Sequence, residues 1–333
     1  WSPVIGCKHG CEYCMDGETN ILMADGTNKL LKDVFVGDKI IGLDNNKSFN
    51  KLILSGITHK STIYEDAYEI LLSNNTKLIA SANHRFLSTR GYKYVIGKEQ
   101  GKNRRPFINV NNKLVCLYDE VLAYEETEDY KKGYIRGVFD GDGTMGIYKD
   151  KRRINSDIYS CRLCLLKTDI PALDRSYNYL LSFNIQTSRF SFTDSMEGIR
   201  LASKNEYDKM IEIMEPKDTS EWLRGFISGI FDAEGTKHCC RIFNSDQGII
   251  NNIRTGLDLY GFKYSLSGKQ GVNKYVYIVT IKGGIREYLR FFQIFNPALK
   301  RKLDIIGNVT KYKDHPNVIS ITKLDKRLLY DIT

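Results

Sequence analysis

Tyr134-Ile-Arg-Gly-Val-Phe-Asp-Gly-Asp-Gly143 and Phe226-Ile-Ser-Gly-Ile-Phe-Asp-Ala-Glu-Gly235 are two copies of one decapeptide, 92 residues apart. Read as helices, they place small residues at every fourth position: Gly133, Gly137 and Gly141 in one, Gly225, Gly229 and Ala233 in the other. Such a stripe lets two helix backbones approach almost to contact. Each copy ends in an acid and a glycine. The glycine is expected as a left-handed terminator. A carboxylate at a helix C-terminus opposes the macrodipole, and a local rule broken twice in the same way points to function. Asp142 and Glu234, with Gly141 and Ala233 beside them, therefore form a candidate site for a divalent metal.

One such copy has a plain reading as a glycine-containing hairpin with solvated acids; two matched copies do not. The pair resembles the signature helices of LAGLIDADG homing endonucleases, with Ile135 and Ile227, Arg136 and Ser228 as mild departures and both terminal acids present. The order helix, two strands, helix, two strands, helix can be written twice between residues 128 and 305. That implies a pseudo-two-fold αββαββα domain whose strand ribbons suit DNA major grooves. The resemblance further implies Mg²⁺ or another divalent cation at Asp142 and Glu234, a double-stranded DNA substrate cut across the minor groove, and short 3′ overhangs. A lysine near the closing helix of each half reaches the active site in that family. Ile199-Arg-Leu-Ala-Ser-Lys204 overlays Tyr277-Ile-Val-Thr-Ile-Lys282, so Lys204 and Lys282 are the candidates, against the plainer reading of solvated strand ends.

The chain has 333 residues, long for one domain and comfortable for two. Lys and Arg outnumber Asp and Glu by 49 to 40, a surplus compatible with nucleic acid without proving it. Between Glu128 and Asp304 there are 28 basic and 22 acidic residues, which puts much of the surplus around the paired motifs. Eight cysteines without regular spacing suggest a reduced compartment, and a cytoplasmic, DNA-associated monomer is expected. No apolar run approaches the roughly 20 residues of a membrane span, and the N-terminus is no signal peptide.

Outside the repeat the sequence changes character. Cys7, Cys11 and Cys14 form CxxxCxxC, which resembles the radical-SAM motif that holds an iron–sulfur cluster, but no run of βα units follows. Residues 1–13 thus look like a host fragment whose motif is interrupted. From Cys14-Met-Asp-Gly-Glu-Thr19 through Leu31-Lys-Asp-Val-Phe-Val-Gly-Asp-Lys-Ile40 the chain resembles the start of an intein, or Hint, domain, with short strands and Gly/Asp turns. Asn75-Thr-Lys-Leu-Ile-Ala-Ser-Ala-Asn-His84 looks like the second intein block, with Ser81 where Thr is usual. Leu328-Leu-Tyr-Asp-Ile-Thr333 looks like a late block, with Asp331 at its acid. An intein needs a thiol or hydroxyl to attack its own preceding carbonyl, a role for Cys14, and a histidine to protonate the leaving nitrogen, a role for His84. The His-Asn ending that splicing needs is not in this chain, so little processing and no splicing is expected from it alone, unless a C-terminal fragment is supplied separately.

The expected fold is mixed α/β: an all-β Hint domain (14–127 and 306–333) interrupted by the endonuclease domain (128–305). Lys149, Lys151, Arg152 and Arg153 beside the first signature helix, and Lys300, Arg301 and Lys302 after the last helix, are candidate phosphate contacts. Cys161 and Cys164, with Cys239 and Cys240, suggest zinc only weakly, because a strand would point the first two to opposite faces. Rival readings are a processing module with a decayed nuclease, an RNA-binding protein of maturase type, and, last, a cluster-binding enzyme.

Overall fold

The structure, a computed structural model, describes residues 14–44, 51–97, 105–116, 124–149, 157–201, 203–237, 239–271, 274–309 and 315–333. The chain forms two compact units: Trp1–Val121 with Ile305–Thr333, and Leu122–Asp304. The repeat-based divisions were set at 127/128 and 305/306, a few residues from these limits. Cys7 and Cys11 of the host-like segment lie outside the described residues.

The first unit is built from strands. They are β1 (Met15–Asp16), β2 (Asn20–Leu22), β3 (Asn28–Leu30), β4 (Lys39–Asp44), β5 (Lys51–Gly56), β6 (Lys60–Leu72), β7 (Lys77–Ser81), β8 (Arg85–Ser88) and β9 (Gly91–Tyr94). The inserted unit follows with α1 (Glu128–Asp142), β10 (Gly143–Lys149), β11 (Asp157–Leu166), α2 (Ile170–Ser182), β12 (Ser188–Thr193), β13 (Met196–Leu201) and α3 (Lys204–Ile213). Its second half comprises α4 (Ser220–Glu234), β14 (Arg241–Asn244), α5 (Gln247–Leu259), β15 (Tyr264–Gln270), β16 (Tyr275–Ile281) and α6 (Ile285–Phe295), and β17 (Val318–Ile332) returns to the first unit.

In that first unit β1, β17, β6 and β7 close a small barrel. Its spine is the antiparallel pairing of β6 with β17, from Ile332 opposite Lys60 to Val318 opposite Leu72. Ile21, Leu31, Ile70, Ala80, Phe86 and Val318 fill the core. Ala67, Ile70 and Leu72 are the buried residues of β6, and Val318 and Leu329 those of β17.

The inserted unit holds all six α-helices of the described residues, and none is long and apolar enough to cross a membrane. Its first half orders its sheet β10-β11-β13-β12, and its second half β14-β16-β15. The halves correspond strand for strand except at one place. The partner of β10 is reduced to a single bridge, Gly235 to Ile242, so the second half reads αβαββα, not αββαββα. The middle helices end alike: Asn184 (φ 55°) after α2 and Gly261 (φ 68°) after α5 are left-handed. The next residues, Ile185 and Phe262, are buried and donate back to Leu180 and Leu257, the hydrogen-bonded stop that also buries an apolar residue.

Candidate active site at the foot of the paired helices

Both signature helices start the same way. The Thr127 side chain accepts from Tyr130 N and that of Thr219 from Trp222 N, each satisfying an orphan donor of the first turn. The caps also reach across the pair: Thr127 Oγ1 donates to Glu221 at 3.4 Å, and Thr219 Oγ1 to Asp129 at 3.0 Å. Thr127 and Thr219, like Asp129 and Glu221, are 92 residues apart, so the contact is a two-fold exchange.

Below the caps the helices touch through backbone. A Cβ on Gly133 would lie 2.0 Å from Trp222 O, and one on Gly225 would lie 1.9 Å from Tyr130 O. One turn on, Gly137 and Gly229 would meet Phe226 O at 2.3 Å and Tyr134 O at 2.2 Å. At the foot a Cβ on Gly141 would be 2.4 Å from that of Ala233. No residue but glycine fits the upper four positions. Buried tyrosines lock the pair, with Tyr130 donating to Phe295 O (2.8 Å) and Tyr134 to Asp232 Oδ2 (2.8 Å).

Gly143 and Gly235 are not left-handed terminators; they are extended, with φ −81° and −76°. The glycine is needed for space, since a Cβ would fall 2.6 Å from Phe139 O at Gly143 and 2.3 Å from Phe231 O at Gly235. Each helix therefore passes straight from its acid into extended chain. This leaves Asp142 open to solvent on one side and Glu234 half-buried.

Burial raises the pKa of Asp142 above the usual carboxylate range, with Lys302 opposing and Asp169 adding to the rise. Burial also raises Glu234, and the nearby Asp142 charge pushes it further, against Lys302. The two carboxylates thus repel each other, and one cation serves both. Lys302 is itself buried. Its Nζ donates to Phe231 O (2.9 Å) and Asp232 O (2.6 Å), two carbonyls in the last turn of α4, where a positive charge complements the helix dipole. Burial lowers its pKa, while Asp232, Asp169 and Asp142 hold it up.

The inner acids are structural. Asp232 is buried and accepts from Ala298 N (2.7 Å), Leu299 N (2.9 Å) and Tyr134 Oη, which pins the loop carrying Lys302. Asp140 is held by Arg136 four residues back, at 2.7 Å.

The other sequence candidates fall elsewhere. Lys302 is not a solvated phosphate contact. Of its neighbours, Arg301 pairs with Asp169 and Lys300 donates to Asn296 Oδ1 at 2.8 Å. Lys149 is exposed and paired with Asp157 at 2.8 Å. Lys151, Arg152 and Arg153 lie outside the described residues. The overlay of Lys204 on Lys282 is two residues out of register. Gly143 faces Leu163, which faces Ile199, and Gly235 faces Ile242, which faces Val279. Ile199 therefore matches Val279, not Tyr277, and Lys204 matches Gly284. Lys204, the first residue of α3, and Lys282, after β16, are both exposed. Cys161 and Cys164 point to opposite faces of β11, one buried and one half-buried.

A second cluster lies in the barrel unit. The backbone O of Cys14 accepts from Ser81 N at 2.9 Å. Met15 faces Tyr330 and Asp16 faces Leu329, so one step back along the same register Cys14 faces Asp331. Burial lifts the Asp331 carboxyl to about 6, against the pull of His59. His84 is buried, its backbone N–H donating to Ser81 O at 3.2 Å and its ring 4.6 Å from that of Phe86.

Comparison with solved structures finds likenesses at low identity. Mesophilic variants of the homing endonuclease I-DmoI match at 20% identity and a TM-score of 0.44, over 53% of this chain and 99% of that one. I-DmoI in complex with DNA and Mn matches at 19% and 0.44, over 51% and 98%. The Ssp DnaB mini-intein variant M86 matches at 18% and 0.25, over 30% and 58%. No protein-family model and no curated protein matches the chain.

Proposed function

We propose that the inserted unit is a metal-dependent endonuclease that cuts both strands of duplex DNA, carried within a self-processing unit of the intein type. The observation that supports this best is the meeting of Asp142 and Glu234, mutually repelling, at the foot of two helices in backbone contact. Such a site favours a cation. Asp142 and Glu234, with Gly141 and Ala233 at the same turn, would hold Mg²⁺ through oxygen donors. Water and phosphate oxygens would fill the remaining positions. A bound divalent cation lowers the pKa of attacking water and neutralises charge on the scissile phosphate.

Lys302 supplies positive charge to both carboxylates from a buried position, and preorganised charge stabilises charge that develops in the reaction. Lys204 and Lys282 are secondary candidates for the same task. Lys149, Lys151, Arg152, Arg153, Lys300 and Arg301 would contact backbone phosphates.

The intein reading gives the DNA target. Cys14 stands where the third cysteine of CxxxCxxC belongs, so the resumed host sequence should begin with cysteine. The cleaved site is then the uninterrupted allele, spanning the codons for residues 6–13 and that cysteine. Cys14 would be the splicing nucleophile and His84 its acid partner, with Ser81 and Asp331 beside them.

The test is a plasmid carrying the uninterrupted host gene, incubated with Mg²⁺. Asp142→Asn or Glu234→Gln should abolish double-strand cutting while specific binding, followed by anisotropy, persists; full cutting by either variant sinks the assignment. Lys302→Met should slow cutting by about 10²-fold, the loss typical of one preorganised charge donor. A short spacer between the Tyr13 and cysteine codons should remove cutting, because the strand ribbons would lose their spacing on the duplex.

A further inference from the structure

Positive charge is densest in a stretch away from the helix pair. Residues 77–116 hold nine Lys and Arg against one acid, a denser excess than the 28 against 22 of residues 128–304. Within the described part, 77–97 and 105–116, there are six cations and no Asp or Glu. The segment folds as a layer of the barrel unit. β8 pairs with β9, Arg85 opposite Tyr94 and Leu87 opposite Tyr92. Residues 105–116 dock beside them through bridges from Tyr94 to Phe107 and from Ser88 to Leu114. Phe86, Val95, Ile108 and Leu114 are buried beneath.

The other face carries cations on rings: Arg105 lies 4.1 Å over Tyr94, and Arg85 lies 5.7 Å from Tyr92. Lys77 is paired with Glu69 at 3.5 Å, and Lys93 donates to Asn112 Oδ1 at 2.7 Å. Arg90, at the β8–β9 turn, and Lys113 are exposed, with no carboxylate partner among the described residues. Like charges gathered without acids repel one another and destabilise the fold. A polyanion removes that cost, and a nucleic-acid backbone presents its charges at regular spacing. Large apolar anchors, which a lipid surface would need, are nearly absent from this layer; among its described residues only Val110 is a large exposed hydrophobic.

We propose that the β8–β9 layer, through Arg90 and Lys113, is a phosphate-contacting surface for duplex DNA outside the nuclease unit. Its choice of duplex rests on reading the chain as a DNA-binding protein. Phosphate contacts of this kind read no sequence, so the surface adds affinity for any duplex.

The experiment uses the full chain and a fluorescent non-cognate duplex, titrated between about 50 and 200 mM salt. Arg90→Ala with Lys113→Ala should flatten the slope of log affinity against log salt by about 2, roughly 0.9 for each lost phosphate contact. The pair Lys323→Ala with Lys326→Ala should leave the slope unchanged. An unaltered slope in the Arg90/Lys113 variant overturns the proposal. So does an equal loss in the Lys323/Lys326 control, or a loss confined to single-stranded RNA. If the wild-type chain shows the full slope yet never cuts a plasmid, the nuclease reading fails while this surface stands.

Discussion

Asp142 and Glu234 are carboxylates whose ionised forms cost more in the folded chain than in the unfolded one, because burial raises both and Asp142 raises Glu234 further. The sign follows from linkage: the cost is absent below about pH 4, where both states are protonated, and grows as pH rises through the lifted range. Asp142→Asn and Glu234→Gln should therefore raise the melting temperature of the metal-free protein at pH 8, with the advantage fading towards pH 4. Asp331→Asn should do the same in the barrel unit, its gain developing between about pH 4 and 6 because its carboxyl sits at about 6. Lower stability of these variants at pH 8 would contradict the shifts. The acids were legible because a carboxylate before glycine, twice, breaks the helix-dipole rule. Lys302 was not: Lys300-Arg-Lys302 reads as a solvated run, and only tertiary packing shows that its last member turns inward onto Phe231 O and Asp232 O. The lone sequence hint was its position after a Pro-Ala-Leu loop that Asp232 captures.

At the scale of elements the small-residue stripe reverses an ordinary rule. Gly→Ala in a helix interior usually stabilises by about 1 kcal/mol. Here Gly225→Ala or Gly137→Ala would drive a methyl to within 1.9 or 2.3 Å of a backbone carbonyl on the other helix, which cannot give way. Each should cost about 3 kcal/mol or more, the upper range for overpacking. Gly256→Ala on α5 meets only the end of the Ile227 side chain, at 2.6 Å, and should cost far less. Denaturant midpoints of the three variants check the ranking, and similar losses at all three would refute a backbone-contact interface. Periodicity alone disclosed this pairing. It did not disclose that the strand after α4 shrinks to a bridge at Gly235, because residues 236–240 look no less strand-like than 144–148. Nor did it fix the lysine overlay, since register depends on pairing, which a linear alignment does not contain.

The whole molecule is two compact units from one interrupted chain, each with its own apolar core. Calorimetry should accordingly resolve two transitions. Leu329→Ala, in the small cluster with Cys14 and Ala67, should lower one of them, and Gly225→Ala the other. A single transition moved equally by both substitutions would show that the units do not unfold separately. The interruption itself was readable, since the intein-like blocks on either side share no pattern with the repeat. The densest run of positive charge was not, because counting by domain dilutes a 40-residue segment with nine cations and one acid.

Asp142 and Glu234 are related by the repeat, but the Lys302 ammonium is held by the second copy, on Phe231 O and Asp232 O of α4, and among the described residues it is the one buried lysine. If the inserted unit cuts DNA as proposed, a two-fold site with one such cation should cut unevenly. Its two scissions should run on different clocks, so supercoiled plasmid should pass visibly through the open-circular form before becoming linear. A time course that goes from supercoiled to linear with no relaxed circle would mean the halves act as equals.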